Sequence, residues 1–248
     1  MTKLKLLAFG VLAATAVSTA QAASQWTVGA GAGVINSPYK QYDRDIYPVP
    51  VVTYEGDNFW FRGLGGGYYL WNDPADKLSI MAYYDPKHFK PGDSDNNALR
   101  QLDKRRSSMM AGLSYVHHTQ YGFLRTALAA DTLDNSNGFI WDLAWLYHYT
   151  NGALTLVPGI GVQYSSENYN DYYYGVSKNE SRRSGLNSYS ADDGWDPYLE
   201  LTANYNFLGD WSVYGTGRYS RLSDEIKDSP MVDKSWAGIF SVGVTYKF

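Results

Sequence analysis

The chain has 248 residues and a formal net charge of −4 at pH 7, from 21 Lys and Arg against 25 Asp and Glu. This acidic balance argues against a nucleic-acid partner, and the absence of cysteine excludes a disulfide framework and thiol catalysis. The 23 Tyr, 8 Trp and 24 Gly are instead typical of a membrane β-barrel with aromatic girdles and a polar lumen.

The first 22 residues have the pattern of a secretory signal. Lys3 and Lys5 form a short basic region, and an apolar run over residues 6–17 follows that is too short to cross a bilayer as a helix. Ala20 and Ala22 then occupy the two positions that a signal peptidase reads. We expect cleavage after Ala22, which leaves one domain over residues 23–248 with 19 basic and 25 acidic residues, a net charge of −6.

Apolar residues alternate strictly with small or polar residues in two segments near the ends of this domain. Residues 26–34 place apolar side chains on one face and Thr27 with three glycines on the other. The last nine residues alternate in the same way and end on an aromatic residue, which resembles the assembly signal of bacterial outer-membrane β-barrels. The apolar positions of that signal are Phe240, Val242, Val244, Tyr246 and Phe248.

The first and last strands of a closed barrel are neighbours. In this chain both would turn mostly small residues toward the interior, among them Gly29, Gly31 and Gly243. The sequence therefore predicts a roomy patch of lumen wall where the two strands meet.

The number of strands depends on residues 59–71, an aromatic run interrupted by Gly63 and by three glycines at positions 65–67. The whole domain has eleven strands if this run is one strand, and twelve if it is two. Losing a strand within residues 46–84 gives ten. Because single-chain bacterial barrels have even strand numbers, we predict an all-β fold, a closed antiparallel transmembrane β-barrel of 12 strands, with 10 as the alternative.

A first hairpin can be registered around Asn151-Gly152, a strong two-residue turn signal. Pairing Thr150 with Ala153 brings apolar residues of the two strands opposite each other on one face. Pro158 does not fit an ideal ladder because it has no N–H, so this register predicts a bulge there.

A second hairpin is predicted around Leu208-Gly209-Asp210, where Phe207 would pair with Trp211. The same register sets Glu200 directly opposite Arg218 on the inner face, and we predict an ion pair between them.

Long polar segments alternate with these short turns, as in outer-membrane barrels, where the long loops are external. The long segments cover residues 35–45, 85–106, 165–194 and 222–235. One of them contains Lys104-Arg105-Arg106, which could meet phosphates of lipopolysaccharide. The same loop has an acidic run at residues 93–97, but it fails the calcium-loop pattern because Ala98 stands where glycine is required.

Charged side chains within the predicted strands should face the lumen, since an Arg on the lipid side near mid-bilayer costs roughly 2–4 kcal/mol. The lumen-facing polar residues predicted in this way are Arg125, Asp142, His148, Glu200 and Arg218. Asp142 and His148 lie about 20 Å apart along one strand at 3.3–3.4 Å per residue. They are too far apart to act together, so we expect no catalytic site, no cofactor and no metal.

Four segments together resemble the MipA/OmpV family of outer-membrane proteins. They are residues 156–161 (LVPGIG), 169–176 (YNDYYYGV), 228–232 (DSPMV) and 246–248 (YKF). The resemblance covers the whole of residues 23–248 and implies a scaffold in the bacterial outer membrane, without catalysis of its own. Such a scaffold would bring a murein-cleaving lytic transglycosylase together with a bifunctional murein synthase during growth of the cell wall.

Both of those enzymes work in the periplasm, the side to which the short turns are assigned. Contacts would have to use the barrel rim at residues 55–58, 118–122, 150–152 and 208–210. The competing interpretation is a narrow polar channel for small solutes, which the glycine-lined strands and the inward charges allow. A third is a surface receptor that uses its tyrosine-rich loops.

Overall fold

A computed structural model describes residues 25–42 and 46–248, and the predicted signal segment with Ala20 and Ala22 lies outside them. Nearly every segment with alternating apolar residues is a β-strand. The described strands are β1 (Gln25–Asn36), β2 (Ile46–Glu55), β3 (Phe59–Arg62), β4 (Gly65–Asn72), β5 (Asp76–Asp85), β6 (Ser108–Thr119), β7 (Gly122–Asp131), β8 (Phe139–Leu146), β9 (Tyr149–Asn151), β10 (Leu154–Ser165), β11 (Gly194–Leu208), β12 (Trp211–Arg221) and β13 (Trp236–Lys247).

Twelve of these strands form a closed antiparallel barrel. Each pairs with the next along the chain, β10 follows β8 around the wall, and β1 pairs with β13 to close the ring. The short β9 is an additional strand that pairs with β10 beyond the end of β8. The prediction of a 12-strand barrel is confirmed, because residues 59–71 divide into β3 and β4 at a turn in which Gly63 has φ +59°.

The seam between β1 and β13 is tightly packed, so the roomy patch predicted there is wrong. A Cβ added at Gly29 would lie 2.2 Å from the carbonyl oxygen of Val244. Inside the barrel the ring of Tyr214 covers the seam. A Cβ at Gly31 would lie 2.6 Å from its hydroxyl oxygen, and one at Gly243 would lie 2.7 Å from its Cε1. The glycines make room for a tyrosine rather than for water.

The β11–β12 hairpin follows the predicted register, with Glu200 opposite Arg218. Only the pair next to the turn differs: Trp211 pairs with Leu208 instead of Phe207, because the register shifts between Asn206 and Leu208.

The β8–β10 hairpin is displaced by two residues from the predicted register. Asn151 pairs with Leu154, so the turn residues are Gly152 and Ala153. A shift of two keeps every side chain on its predicted face. The expected bulge at Pro158 is absent: the register is the same on both sides of Tyr147 and His148, and the ladder is simply interrupted there because proline cannot donate.

Aromatic side chains lie in two belts on the outer face of the barrel. Near the loops, Trp195 packs against Trp141 and Tyr164, with ring centroids 5.7 and 4.9 Å apart. Near the tight turns, Trp211 packs against Tyr246 at 5.1 Å. Large apolar side chains between the belts, such as Val242, are exposed on the outside. This distribution matches the lipid-facing surface of an outer-membrane barrel.

The long loops contain helices that the sequence analysis did not predict. They are α1 (Glu167–Tyr174), α2 (Lys178–Ser184) and α3 (Asp224–Lys227), with 3₁₀ turns at Pro91–Asp93 and Leu99–Gln101. Within the described part of the chain, no helix is both long and apolar enough to cross a membrane.

Candidate functional site: the lumen cluster, the loop cap and the turn rim

The barrel has two different ends. The tight turns at residues 56–58, 73–75, 120–121, 152–153 and 209–210 lie at one end, here called the turn rim, together with Gln25 and Phe248. The segments 37–42, 86–107, 132–138, 166–193 and 222–235 lie at the other end and form what we call the loop cap.

Inside the barrel, four of the five predicted lumen residues meet in one group with Tyr198. We call Arg125, Asp142, Tyr198, Glu200 and Arg218 the lumen cluster. They come from β7, β8, β11 and β12, a contiguous part of the wall in which only β10 intervenes. All five side chains are buried or nearly so.

Charges in the lumen cluster balance, since two guanidinium groups face two carboxylates. Arg125 forms a bidentate ion pair with Glu200, with N–O distances of 2.9 and 3.0 Å. Arg218 bridges Glu200 at 2.9 Å and Asp142 at 3.2 Å. Because each charge has partners of opposite sign, the group can remain buried.

Tyr198 is the centre of the cluster, and the sequence analysis missed it. Its hydroxyl donates to Asp142 at 2.8 Å, and the guanidinium of Arg218 lies 3.8 Å above its ring. It shares a strand face with Glu200, two residues further on, so the same alternation that placed Glu200 in the lumen could have found it.

Strand β10 supplies glycines where the cluster crosses it. Gly161 is opposite Tyr198 and Gly159 is opposite Glu200 in the register. A Cβ at Gly161 would lie 2.4 Å from Cζ of Tyr198, and one at Gly159 would lie 3.0 Å from Cγ of Glu200. The two side chains therefore lie flat over β10 because these positions have no side chain of their own.

His148 is not part of the cluster. It lies in the gap between β8 and β9 toward the turn rim and is partly exposed. The residues of the predicted assembly signal lie on β13 and at Phe248, where Phe240, Val242 and Val244 are exposed on the outer face. The backbone N–H of Phe248 donates to Trp26 at 2.9 Å, next to the barrel seam.

Packed tyrosines hold the loop cap together. Tyr39 contacts Phe89 and Tyr174 with ring centroids 4.9 and 5.6 Å apart, and its hydroxyl donates to the carbonyl of Tyr173. These contacts join three separate loops in one apolar core that continues into the lumen. A cavity of about 260 Å³ remains between this core and the Asp142–Arg218 pair.

Lys87 anchors helix α1 to the barrel through contacts with three of its tyrosines. Its ammonium lies over the rings of Tyr169, Tyr173 and Tyr174 at 4.6, 5.3 and 5.2 Å. Burial alone would lower the pKa of Lys87, but the Tyr174 hydroxyl and the carboxylates of Asp85 and Asp196 outweigh it and raise the pKa. The residue therefore remains charged in its aromatic surroundings.

A second contact anchors helix α2 to the segment 86–107. Arg105 and Glu180 form a buried ion pair at 2.8 Å, with only 9% and 3% of their side chains exposed. Burial would raise the pKa of Glu180, but the amides of Asp103 and Ser177 and the Arg105 guanidinium lower it below its usual value. This corrects the prediction for Arg105 alone within the Lys104-Arg105-Arg106 run, because Arg105 faces inward and cannot reach a lipid phosphate.

The turn rim exposes several apolar and acidic side chains. Tyr121 and Leu208 are 70% and 68% exposed; Asp210 is exposed on the same turn as Leu208, and Asp57 is exposed on another turn of the rim. In the ranges 25–42 and 46–248, no group of three His, Asp or Glu side chains has the geometry of a metal site.

Known proteins resemble the chain over nearly its whole length. Residues 28–248 match the family model described as "MltA-interacting protein MipA". The chain is 69% identical to proteins named MltA-interacting protein from Escherichia coli (strain K12) and Shigella flexneri, over 100% of each chain. It is 25% identical to outer membrane protein OmpV of Vibrio cholerae, over 90% of this chain and 87% of that one.

The family is named for an interaction and is not an enzyme family. Relatives named as outer membrane proteins agree with the closed barrel and its outer aromatic belts. The chain is an outer-membrane β-barrel that belongs to the MipA family.

Proposed function

We propose that this barrel is a non-enzymatic scaffold that brings a lytic transglycosylase and a bifunctional murein synthase together for growth of the cell wall. The observation that carries the proposal is the 69% identity, over the full length, to a protein named for its interaction with MltA. The synthase enters from the resemblance of residues 156–161, 169–176, 228–232 and 246–248 to the MipA/OmpV family.

In outer-membrane barrels the short turns face the periplasm, so the turn rim is the surface available to periplasmic enzymes. Tyr121 and Leu208 supply exposed apolar area, and Asp57 and Asp210 supply charge. Stable protein interfaces bury about 800 Å² on each partner. Five tight turns around a mouth offer little continuous area, which favours a weak and transient contact with each enzyme.

The test is retention of the refolded barrel on an immobilised lytic transglycosylase of the MltA kind. The double variant Tyr121→Ala/Leu208→Ala should weaken binding about tenfold, because truncating exposed anchor residues removes most of the energy of a small interface. Leu133→Ala is the matched control, since Leu133 is 54% exposed in the loop cap at the opposite end.

The scaffold role itself is tested by adding the bifunctional synthase. It should be retained on the transglycosylase column only when the barrel is also present. Direct retention of the synthase without the barrel, or equal binding by the rim variant and the control, would remove the support for a scaffold acting through the turn rim.

A further inference from the structure

The loop cap exposes a group of positively charged side chains that form no ion pair within the described residues. In the segment 104–106, Arg105 points inward to Glu180 while Lys104 and Arg106 are exposed. This alternation follows from the extended backbone at Arg105, which forms a bridge with Phe89. The inward arginine therefore holds its two neighbours outward in a fixed position.

Helix α2 brings further cations to the same surface. The Arg105–Glu180 pair attaches the helix, and Arg183 donates to the carbonyl of Gln101 and pairs with Asp103. Lys178 and Arg182 are exposed on this attached helix.

Four of these cations have no carboxylate partner among the described residues: Lys104, Arg106, Lys178 and Arg182. The Arg182 side chain donates to the amide oxygen of Asn179 and to the backbone carbonyl of Lys178. Neighbouring cations are already neutralised, since Arg183 pairs with Asp103 and Arg100 pairs with Asp95. We call the four uncompensated residues the basic patch.

We propose that the basic patch binds the phosphate groups of lipopolysaccharide in the outer leaflet. The long loops of an outer-membrane barrel lie on that side. Arg106 is two residues from the start of β6, so about 7 Å of extended chain separates it from the membrane-spanning wall. Arg and Lys in such a position attract anionic headgroups, and Arg matches a phosphate with two parallel hydrogen bonds.

The proposal is independent of the murein role, which uses the opposite end of the barrel. It is tested with the full refolded chain in neutral detergent micelles, titrated with bisphosphorylated lipid A. Two double variants, Lys104→Gln/Arg106→Gln and Lys178→Gln/Arg182→Gln, each remove half of the patch. Each should weaken binding about 30-fold, since a cation near an anionic lipid surface contributes roughly fivefold.

Lys247→Gln is the control, because Lys247 is an exposed cation beside Asp210 at the turn rim, the end of the barrel opposite the patch. It should bind lipid A like the unchanged chain, and all variants should have the same unfolding midpoint as the unchanged chain.

Binding should weaken with added salt and be lost with dephosphorylated lipid A. Equal binding of dephosphorylated lipid A, or unchanged binding by both double variants, would overturn the proposal. Saturable binding of inorganic phosphate with the same variant pattern would assign the patch to a soluble anion and overturn the lipid assignment.

Discussion

Gly161 leaves the space in which the central tyrosine of the lumen cluster lies. Its lack of a side chain lets Tyr198 lie across β10, where the tyrosine can donate to Asp142 and support Arg218. Leu143 also approaches this glycine through its backbone carbonyl, 2.7 Å from an added Cβ. The space is thus closed on two sides, and a methyl group cannot be accommodated without moving the ring.

We therefore expect Gly161→Ala to lower the free energy of unfolding by about 1–3 kcal/mol, the usual cost of overpacking a close-packed site. Gly215→Ala is the matched control, because a Cβ there would meet nothing within 4 Å. Denaturant unfolding of both variants in vesicles measures the difference. Equal midpoints for the two variants would show that Tyr198 moves aside without cost.

The lumen residues show what single-residue reasoning can establish. The energetic cost of a charge in lipid was enough to expect Arg125 and Arg218 inside, and alternation placed Asp142 and Glu200 on the same face. The same argument could not predict that Arg125 of β7 meets Glu200 of β11. That contact depends on how these two strands, far apart in sequence, curve around the closed barrel. His148 keeps its predicted face, but it lies at a break in the strand ladder toward the turn rim, away from the cluster.

At the level of elements, the loop cap depends on a few polar contacts between loops that are far apart in sequence. Glu180 accepts hydrogen bonds from the amides of Asp103 and Ser177 at 2.9 and 3.0 Å, and it pairs with Arg105. One carboxylate thus connects helix α2 to the segment 86–107. The cap is expected to weaken when this carboxylate loses its charge.

The pKa of Glu180 is lowered in the folded protein. Its stabilising contribution is therefore fully present above the unfolded-state pKa and is lost as the pH falls through the folded-state pKa. Glu180→Gln should be less stable than the unchanged chain by roughly 3 kcal/mol at neutral pH, because it leaves Arg105 buried without its partner.

This deficit should shrink as the pH falls from the unfolded-state pKa of Glu180 through its folded-state pKa. A series of unfolding midpoints against pH measures the change. Asp233→Asn in the same cap is the control, since Asp233 is exposed and should shift stability by less than about 0.5 kcal/mol. A deficit of the same size at every pH would contradict the assignment.

Elements differ in how well the sequence determines them. The β11–β12 register followed from pairing apolar residues on one face and opposite charges on the other. The β8–β10 strands pair apolar residues in the predicted register and in the observed one, so apolar matching could not detect the shift of two residues. Helices α1 and α2 were missed because their side chains are mostly Tyr, Asn, Ser and Arg. Such compositions are ordinary in loops, and the helices are held by caps and by contacts with other loops rather than by an apolar stripe.

At the scale of the molecule, the lumen is occupied from several directions. The lumen cluster crosses one side of it, Tyr214 of β12 covers the seam next to the cluster, and the loop cap fills the end away from the turn rim. The inward charges that suggested a channel are paired with each other instead of lining an open path.

We expect the refolded chain to carry no steady single-channel current in a planar bilayer, under conditions in which a general porin conducts. The lumen cluster and the cap occupy the lumen around a cavity of about 260 Å³. A steady current that is abolished by Gly31→Trp would show that ions pass along the seam, and would restore the channel interpretation.

The seam between β1 and β13 also has a kinetic consequence. It joins residues such as Thr27 and Lys247, so its contacts are the most distant in sequence that the barrel contains. Non-local pairings of this kind form slowly, because the entropy of closing the chain is lost before the contacts are gained. Until β13 is in place, β1 and β12 each present a row of unpaired N–H and C=O groups, which hydrocarbon does not tolerate. Insertion into the membrane and closure of the seam should therefore occur as a single, late and rate-limiting event.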